Sequence, residues 1–79
     1  MENLFKSHDF YLSSCLVAAK LPLKRLEKGE GKLVIFVFDD PKHQAEQLIS
    51  SHWNRTLCLP TRDLIEAINE LKTRLYSGF

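Results

Sequence analysis

"LVIFVF", residues 33–38, is followed directly by "DDP", residues 39–41. The six apolar residues include three β-branched and two aromatic side chains, which are typical of strands. A strand with one solvated face alternates apolar and polar residues, whereas this one is apolar throughout. It therefore predicts a central strand covered on both faces by helices or by partner chains.

The residues on either side of this strand predict its neighbours. Gly29 and Gly31 indicate a turn that pairs the strand with the polar segment before it, which gives a β-hairpin. On the other side, Asp40 can cap a helix and Pro41 suits a first helical position, so we expect a helix over residues 41–54. Asn54 is expected to end it in a left-handed conformation.

Two further helices are predicted. Apolar residues at helical spacing indicate a helix over residues 8–20, which Pro22 ends. The last helix begins at Pro60, with an ion pair between Glu70 and Arg74 and the apolar stripe Leu64, Ile65, Ile68, Leu71 and Leu75. Residues 56–59 fit a short third strand. The chain is thus expected to form a single α+β domain over residues 1–79, in the order α-β-β-α-(β)-α, with three helices packed on a hairpin sheet.

The predicted core combines the central strand with one face of each helix. We expect Ile35→Ala to reduce the free energy of unfolding by about 2 to 4 kcal/mol, through lost transfer energy and a residual cavity. The expected core residues are Leu16, Leu33, Ile35, Phe36, Val37, Leu48, Trp53, Leu64, Ile68 and Leu71.

Four segments, taken in order, resemble a known pattern: "FKSHDFYLSSCL", "VIFVFDD", "HWNRT" and "IEAINELKTRLYS". The chain resembles a family of short, uncharacterised bacterial and phage domains of unknown function. One departure is Leu59, where that pattern would place an Asp that caps the last helix. The resemblance implies the order of helices and strands and supplies no activity.

Composition excludes several classes of protein. The 79 residues are 44 % hydrophobic with a net charge of +1, and contain no apolar run long enough to cross a bilayer. No secretory signal is visible, so we expect a cytoplasmic protein with no membrane association. Cys15 and Cys58 lie among apolar neighbours and are expected to remain thiols.

No group of residues points to catalysis. His8, His43 and His52 are dispersed, and no cysteine or histidine spacing suits a metal. His8 and Asp9 could meet Cys15, but no spacing holds a base and an orienting group beside that thiol. We therefore expect no enzymatic activity, no catalytic residues, no metal and no cofactor.

Aromatic residues near the termini suggest a partner. One small core does not readily bury all of Phe5, Phe10, Tyr11, Tyr76 and Phe79. Together they are expected to form an interaction surface for another protein or for a second copy of the chain. The main functional prediction is therefore a non-enzymatic protein-binding module, with a homodimer as one form of it.

The basic residues of the hairpin suggest an alternative. Residues 20–32 contain five lysine and arginine residues and two glutamates. Such a ribbon can contact nucleic acid, with Lys24, Arg25, Lys28 and Lys32 on phosphates and Arg55 as a helper. The same residues also suit a solvated arm that discourages edge pairing. The sequence leaves open whether Arg62, Lys72 and Arg74 face the same way.

The segment around the only tryptophan also has two interpretations. Trp53 with Asn54 and Arg55 could stack on an exposed base. The helical period instead places Trp53 on the same face as Ala45 and Ile49. Packing in the core is the favoured interpretation.

Overall fold

The computed structural model describes residues 3–78. In chain order these residues form β1 (Leu4–Ser7), α1 (Phe10–Ala18), β2 (Leu23–Lys28), β3 (Val34–Asp39), α2 (Gln44–Trp53) and α3 (Thr61–Tyr76). The strands form one antiparallel sheet in the order β1-β3-β2. The predicted α+β class is confirmed, and β3 is the central strand as its sequence predicts.

The third strand is not the one expected. Residues 56–59 form no strand; the N–H groups of Thr56 and Leu57 donate instead to the Ser51 carbonyl, at 2.9 and 3.1 Å. The third strand is β1, which pairs with β3 from Leu4 opposite Asp39 to Ser7 opposite Phe36. Four residues are too few to show an alternating pattern, which is why the sequence did not reveal β1.

The two faces of β3 are covered differently. Phe36 and Phe38 pack into one buried cluster with residues of all three helices, including Leu16, Ala45 and Leu71. The helices therefore form one layer on one face, in agreement with a smallest molecular dimension of 18 Å. Within residues 3–78, helices therefore cover one face of β3 and not both.

The opposite face of β3 is covered by charged side chains. Val37 lies between Lys6 of β1 and Arg25 of β2 in the sheet, yet it is completely buried. Long charged side chains can lay their apolar stems over such a residue while the charged ends stay in water. Ile35, two residues earlier on this face, is only half-buried.

Asp40 forms the turn from β3 into α2. Its carboxylate is buried and accepts hydrogen bonds from the N–H groups of Gln44 at 2.7 Å and Ala45 at 3.0 Å. Asp40 is thus the capping residue that the sequence predicted. The helix begins at Gln44 and not at Pro41, because residues 41–43 form a turn with His43 in the left-handed region (φ 52°).

The helix ends also differ from expectation by one or two residues. Lys20 (φ 72°) and Arg55 (φ 62°) take the left-handed positions after α1 and α2, whereas Asn54 is right-handed. In α1 the N–H of Leu21 donates to the Leu16 carbonyl at 3.1 Å. This bond closes the helix end and directs Leu21 into the core.

Trp53 and Leu33 were expected in the core and are exposed, at 68 % and 43 %. Trp53 is the last residue of α2, which meets the core only through Ala45, Leu48 and Ile49. Helical periodicity gives the side on which Trp53 lies, but not where the neighbouring layer ends. The other expected core residues are buried (Leu16, Phe36, Val37, Leu71) or half-buried (Ile35, Leu48, Leu64, Ile68).

These burial differences predict unequal costs for two truncations. Leu71→Ala should reduce the free energy of unfolding by about 3 kcal/mol, since it opens a cavity in the buried cluster. Ile35→Ala should cost about 1 kcal/mol, because its side chain already contacts water. Urea unfolding followed by circular dichroism measures both. An equal or larger loss for Ile35→Ala would contradict this account of the two faces.

Candidate interaction surfaces

The aromatic residues near the termini divide into two groups. Phe5 and Phe10 are half-buried and pack against the core. The Phe10 ring meets Phe36 edge to face, with centroids 6.3 Å apart. Tyr11 and Tyr76 are exposed, at 65 % and 86 %. Phe79 lies outside the described residues.

Three exposed apolar residues were missing from the predicted surface: Leu33, Trp53 and Ile65. The Trp53 ring lies edge to face against the His52 ring, with the ring centroids 5.0 Å apart. Most of its surface is exposed, where a partner could contact it. Ile65 was assigned to the buried stripe of α3 but is 58 % exposed. One helical step turns by about 100°, which carries Ile65 away from Leu64 and toward solvent.

Ile65 and Tyr76 lie on the same side of α3. Eleven residues separate them, which is about three full turns and about 16 Å along the helix axis. We call this side of α3, with Ile65 and Tyr76 at its two ends, the α3 ridge. The sequence contained this signal, since the spacing itself places both residues together.

The cations of the hairpin are exposed, and Arg25 is engaged within the sheet. The Nε of Arg25 donates to Oε2 of Glu27 at 2.7 Å, and Nζ of Lys6 lies 3.5 Å from Oε1 of the same carboxylate. The hydrogen bond from Arg25, helped by the charges of Arg25 and Lys6, lowers the pKa of Glu27. Arg25 is therefore partly neutralised before any ligand arrives.

The structure brings a cation from α3 to the hairpin. Lys24 and Arg25 of β2, with Arg74 and Ser77 near the end of α3, line an open groove of about 340 Å³. We call it the basic groove. Lys24 stands at an irregularity in the pairing of β2 with β3, between Leu23 and Arg25. Such a bulge changes the direction of an edge strand.

The remaining predicted cations are not at the basic groove. Lys28 ends β2 and Lys32 lies in the exposed turn beyond it. Arg55 follows the end of α2 and does not line the groove. On α3, Arg62 pairs with Glu66 at 3.3 Å, and among residues 3–78 the expected pair of Glu70 with Arg74 does not form.

A second groove, between α1 and α3, has the opposite charge. Its volume is about 340 Å³, and Asp63, Glu66 and Glu70 line it above the small residues Ala18 and Ala67. Lys20 lies 3.7 Å from Asp63, the only ion pair that joins α1's end to α3 within the described residues. The two grooves therefore differ in the charge of the ligand that each would favour.

The described residues offer no arrangement for a metal or for crossing a bilayer. Across residues 3–78, no three His, Cys, Asp or Glu side chains come together as metal ligands. No helix of that range is long and apolar enough to span a membrane. Cys15 is half-buried, Cys58 is exposed, and both are free thiols.

Comparison of the chain with protein-family models, with curated proteins and with solved structures finds no significant match in any of the three. Function must therefore be argued from the chain's own surfaces.

The two thiols should differ in reactivity. Burial raises the pKa of the Cys15 thiol, and the nearby negative charge of Asp9 raises it further. The thiolate is the reactive form, so Cys15 should be alkylated more slowly than the exposed Cys58 at neutral pH. Iodoacetamide labelling followed by peptide mass spectrometry measures both rates. Equal rates in the folded protein would contradict the described placement of α1.

Proposed function

We propose that this chain is a small protein-binding module that acts without chemical turnover. The observation that carries the proposal is the exposure of Trp53 and of the α3 ridge. Tryptophan and tyrosine are the residues most enriched among those that dominate binding energy at protein interfaces. Exposing large apolar side chains to water is unfavourable, and a bound partner removes that exposure.

The placement of these residues favours a partner that contacts a helix side. The α3 ridge presents two apolar side chains about 16 Å apart along the helix, with polar residues between them. A groove in a partner can bind apolar side chains that project at this spacing from one side of a helix. Two free thiols suit a reducing compartment such as the cytoplasm. Membership of the family of short bacterial and phage domains is part of this proposal and adds no activity.

Site-specific photo-crosslinking in cells tests the proposal. Benzoyl-phenylalanine placed at Tyr76 or Trp53 should give discrete protein adducts, because these side chains would lie inside the interface. The matched control is the same residue at Lys42, which is exposed in the turn before α2. Absence of adducts at both aromatic positions, or equal adducts at Lys42, would refute the proposal.

A second candidate function is binding of a nucleic-acid backbone, and the convergence of Arg74 with Lys24 and Arg25 favours it. Arg74 adds a cation to a groove that Lys24 and Arg25 also line, whereas the net charge of +1 limits binding to that one side. The acidic groove between α1 and α3 would repel the same backbone.

A salt titration tests this second function. Affinity for a single-stranded or duplex oligonucleotide should fall with salt with a logarithmic slope of about −2, as expected for about two to three neutralised phosphates when Arg25 is partly engaged by Glu27. Arg74→Glu should abolish binding, while Arg62→Glu on the same helix should weaken it only slightly, because Arg62 does not line the groove. No binding at low salt, or equal effects of the two variants, would eliminate this function.

A further inference from the structure

The hydrogen-bond pattern of β1 shows which of its groups face away from the sheet. The N–H of Asp40 donates to the Asn3 carbonyl at 2.8 Å. Asn3 and Asp40 are the next pair of the ladder after Leu4 and Asp39, in the same register, and this bond makes them a hydrogen-bonded pair. Hydrogen-bonded and non-hydrogen-bonded pairs alternate in an antiparallel ladder. Phe5 and Ser7 therefore bond to β3, and the N–H and C=O groups of Leu4 and Lys6 point to the outer edge.

These edge groups are complementary to themselves under a two-fold axis. If a second copy lies antiparallel along β1 with the axis at Phe5, Leu4 of each copy stands opposite Lys6 of the other. Both pairs are then hydrogen-bonded pairs, which gives four bonds between the copies. A two-fold contact of this kind uses the same surface on both copies and closes at a dimer.

The side chains fit the same arrangement on both faces. On the helix side, Phe5 neighbours Phe38 and is only half-buried, so the two Phe5 rings would meet at the axis and cover each other. On the other side, Lys6 would lie opposite Leu4 of the second copy while its Nζ stays at Glu27, so no charged side chain stands directly opposite another.

The other edge of the sheet does not permit the same contact. The N–H of Gly29 donates to the Leu33 carbonyl at 2.8 Å, so by alternation Leu26 and Lys28 face the outer edge of β2. A two-fold pairing there would place Glu27 opposite Glu27, with like charges in contact. The irregularity at Lys24 further interrupts that edge.

We propose that β1 is a self-association edge, through which two copies of this chain join their sheets into one continuous antiparallel sheet. The inference rests on the proposed function and names one partner for it, a second copy. The edge is separate from the α3 ridge, so the two contacts can be tested independently.

A pair of proline substitutions tests the edge. Proline lacks an N–H, and at Lys6 it removes an outward donor from each copy without removing a bond of β1 to β3. Lys6→Pro should weaken dimerisation at least about tenfold. The matched control is Lys28→Pro, which removes the equivalent outward donor from β2 and should leave dimerisation unchanged. Sedimentation velocity from about 1 µM to 1 mM measures the dissociation constants, and urea unfolding checks that both variants fold.

Amide exchange gives an independent readout. The amide hydrogens of Leu4 and Lys6 should exchange more slowly as protein concentration rises, while those of Leu26 and Lys28 should not change.

Two results would overturn the inference. One is a monomer over the whole concentration range; the other is a dimer that Lys6→Pro leaves intact. Neither result bears on the proposed function, which is tested separately by photo-crosslinking at Tyr76 and Trp53.

Discussion

The fold depends on burying β3 on both faces, although the helices of residues 3–78 form a single layer. Phe36 and Phe38 pack against the helix layer. On the other face, Lys6 of β1 and Glu27 of β2 form an ion pair across β3, with Nζ and Oε1 3.5 Å apart. This pair and the contact of Glu27 with Arg25 link the charged side chains that flank the completely buried Val37. Part of the chain's positive charge is therefore structural, and a count of lysines and arginines overstates the charge offered to a polyanion.

Asp40 connects three elements of this arrangement. Its backbone N–H extends the ladder between β3 and β1, and its carboxylate caps α2. Because this cap sets the start of α2 at Gln44, the helix reaches the core with its first two turns and continues past it. The exposure of Trp53 follows from that starting point. A residue that closes a turn thus decides which aromatic side chain a partner can contact.

Local patterns in the sequence were enough for β3, the hairpin, the three helices and the role of Asp40, because each has a signal within a few residues. The same patterns could not place Trp53, since periodicity gives a direction and not the extent of the neighbouring layer. Arg74 and Lys24 line the same groove only because the fold brings together residues fifty positions apart. The cover of Val37 was missed for a similar reason, as it needs charged residues from two strands, one of which was not recognised.

The two edges of the sheet have different chemistry, and this separates the candidate functions in space. Lys24 and Arg25 lie on β2, at the side of the sheet opposite β1. A dimer joined through β1 would therefore leave both basic grooves open at the outer ends of the continuous sheet. Two such grooves on one particle would raise the effective affinity for a long polyanion, because binding at the second groove becomes intramolecular. Self-association and backbone binding are thus compatible, and the first would strengthen the second without any new contact.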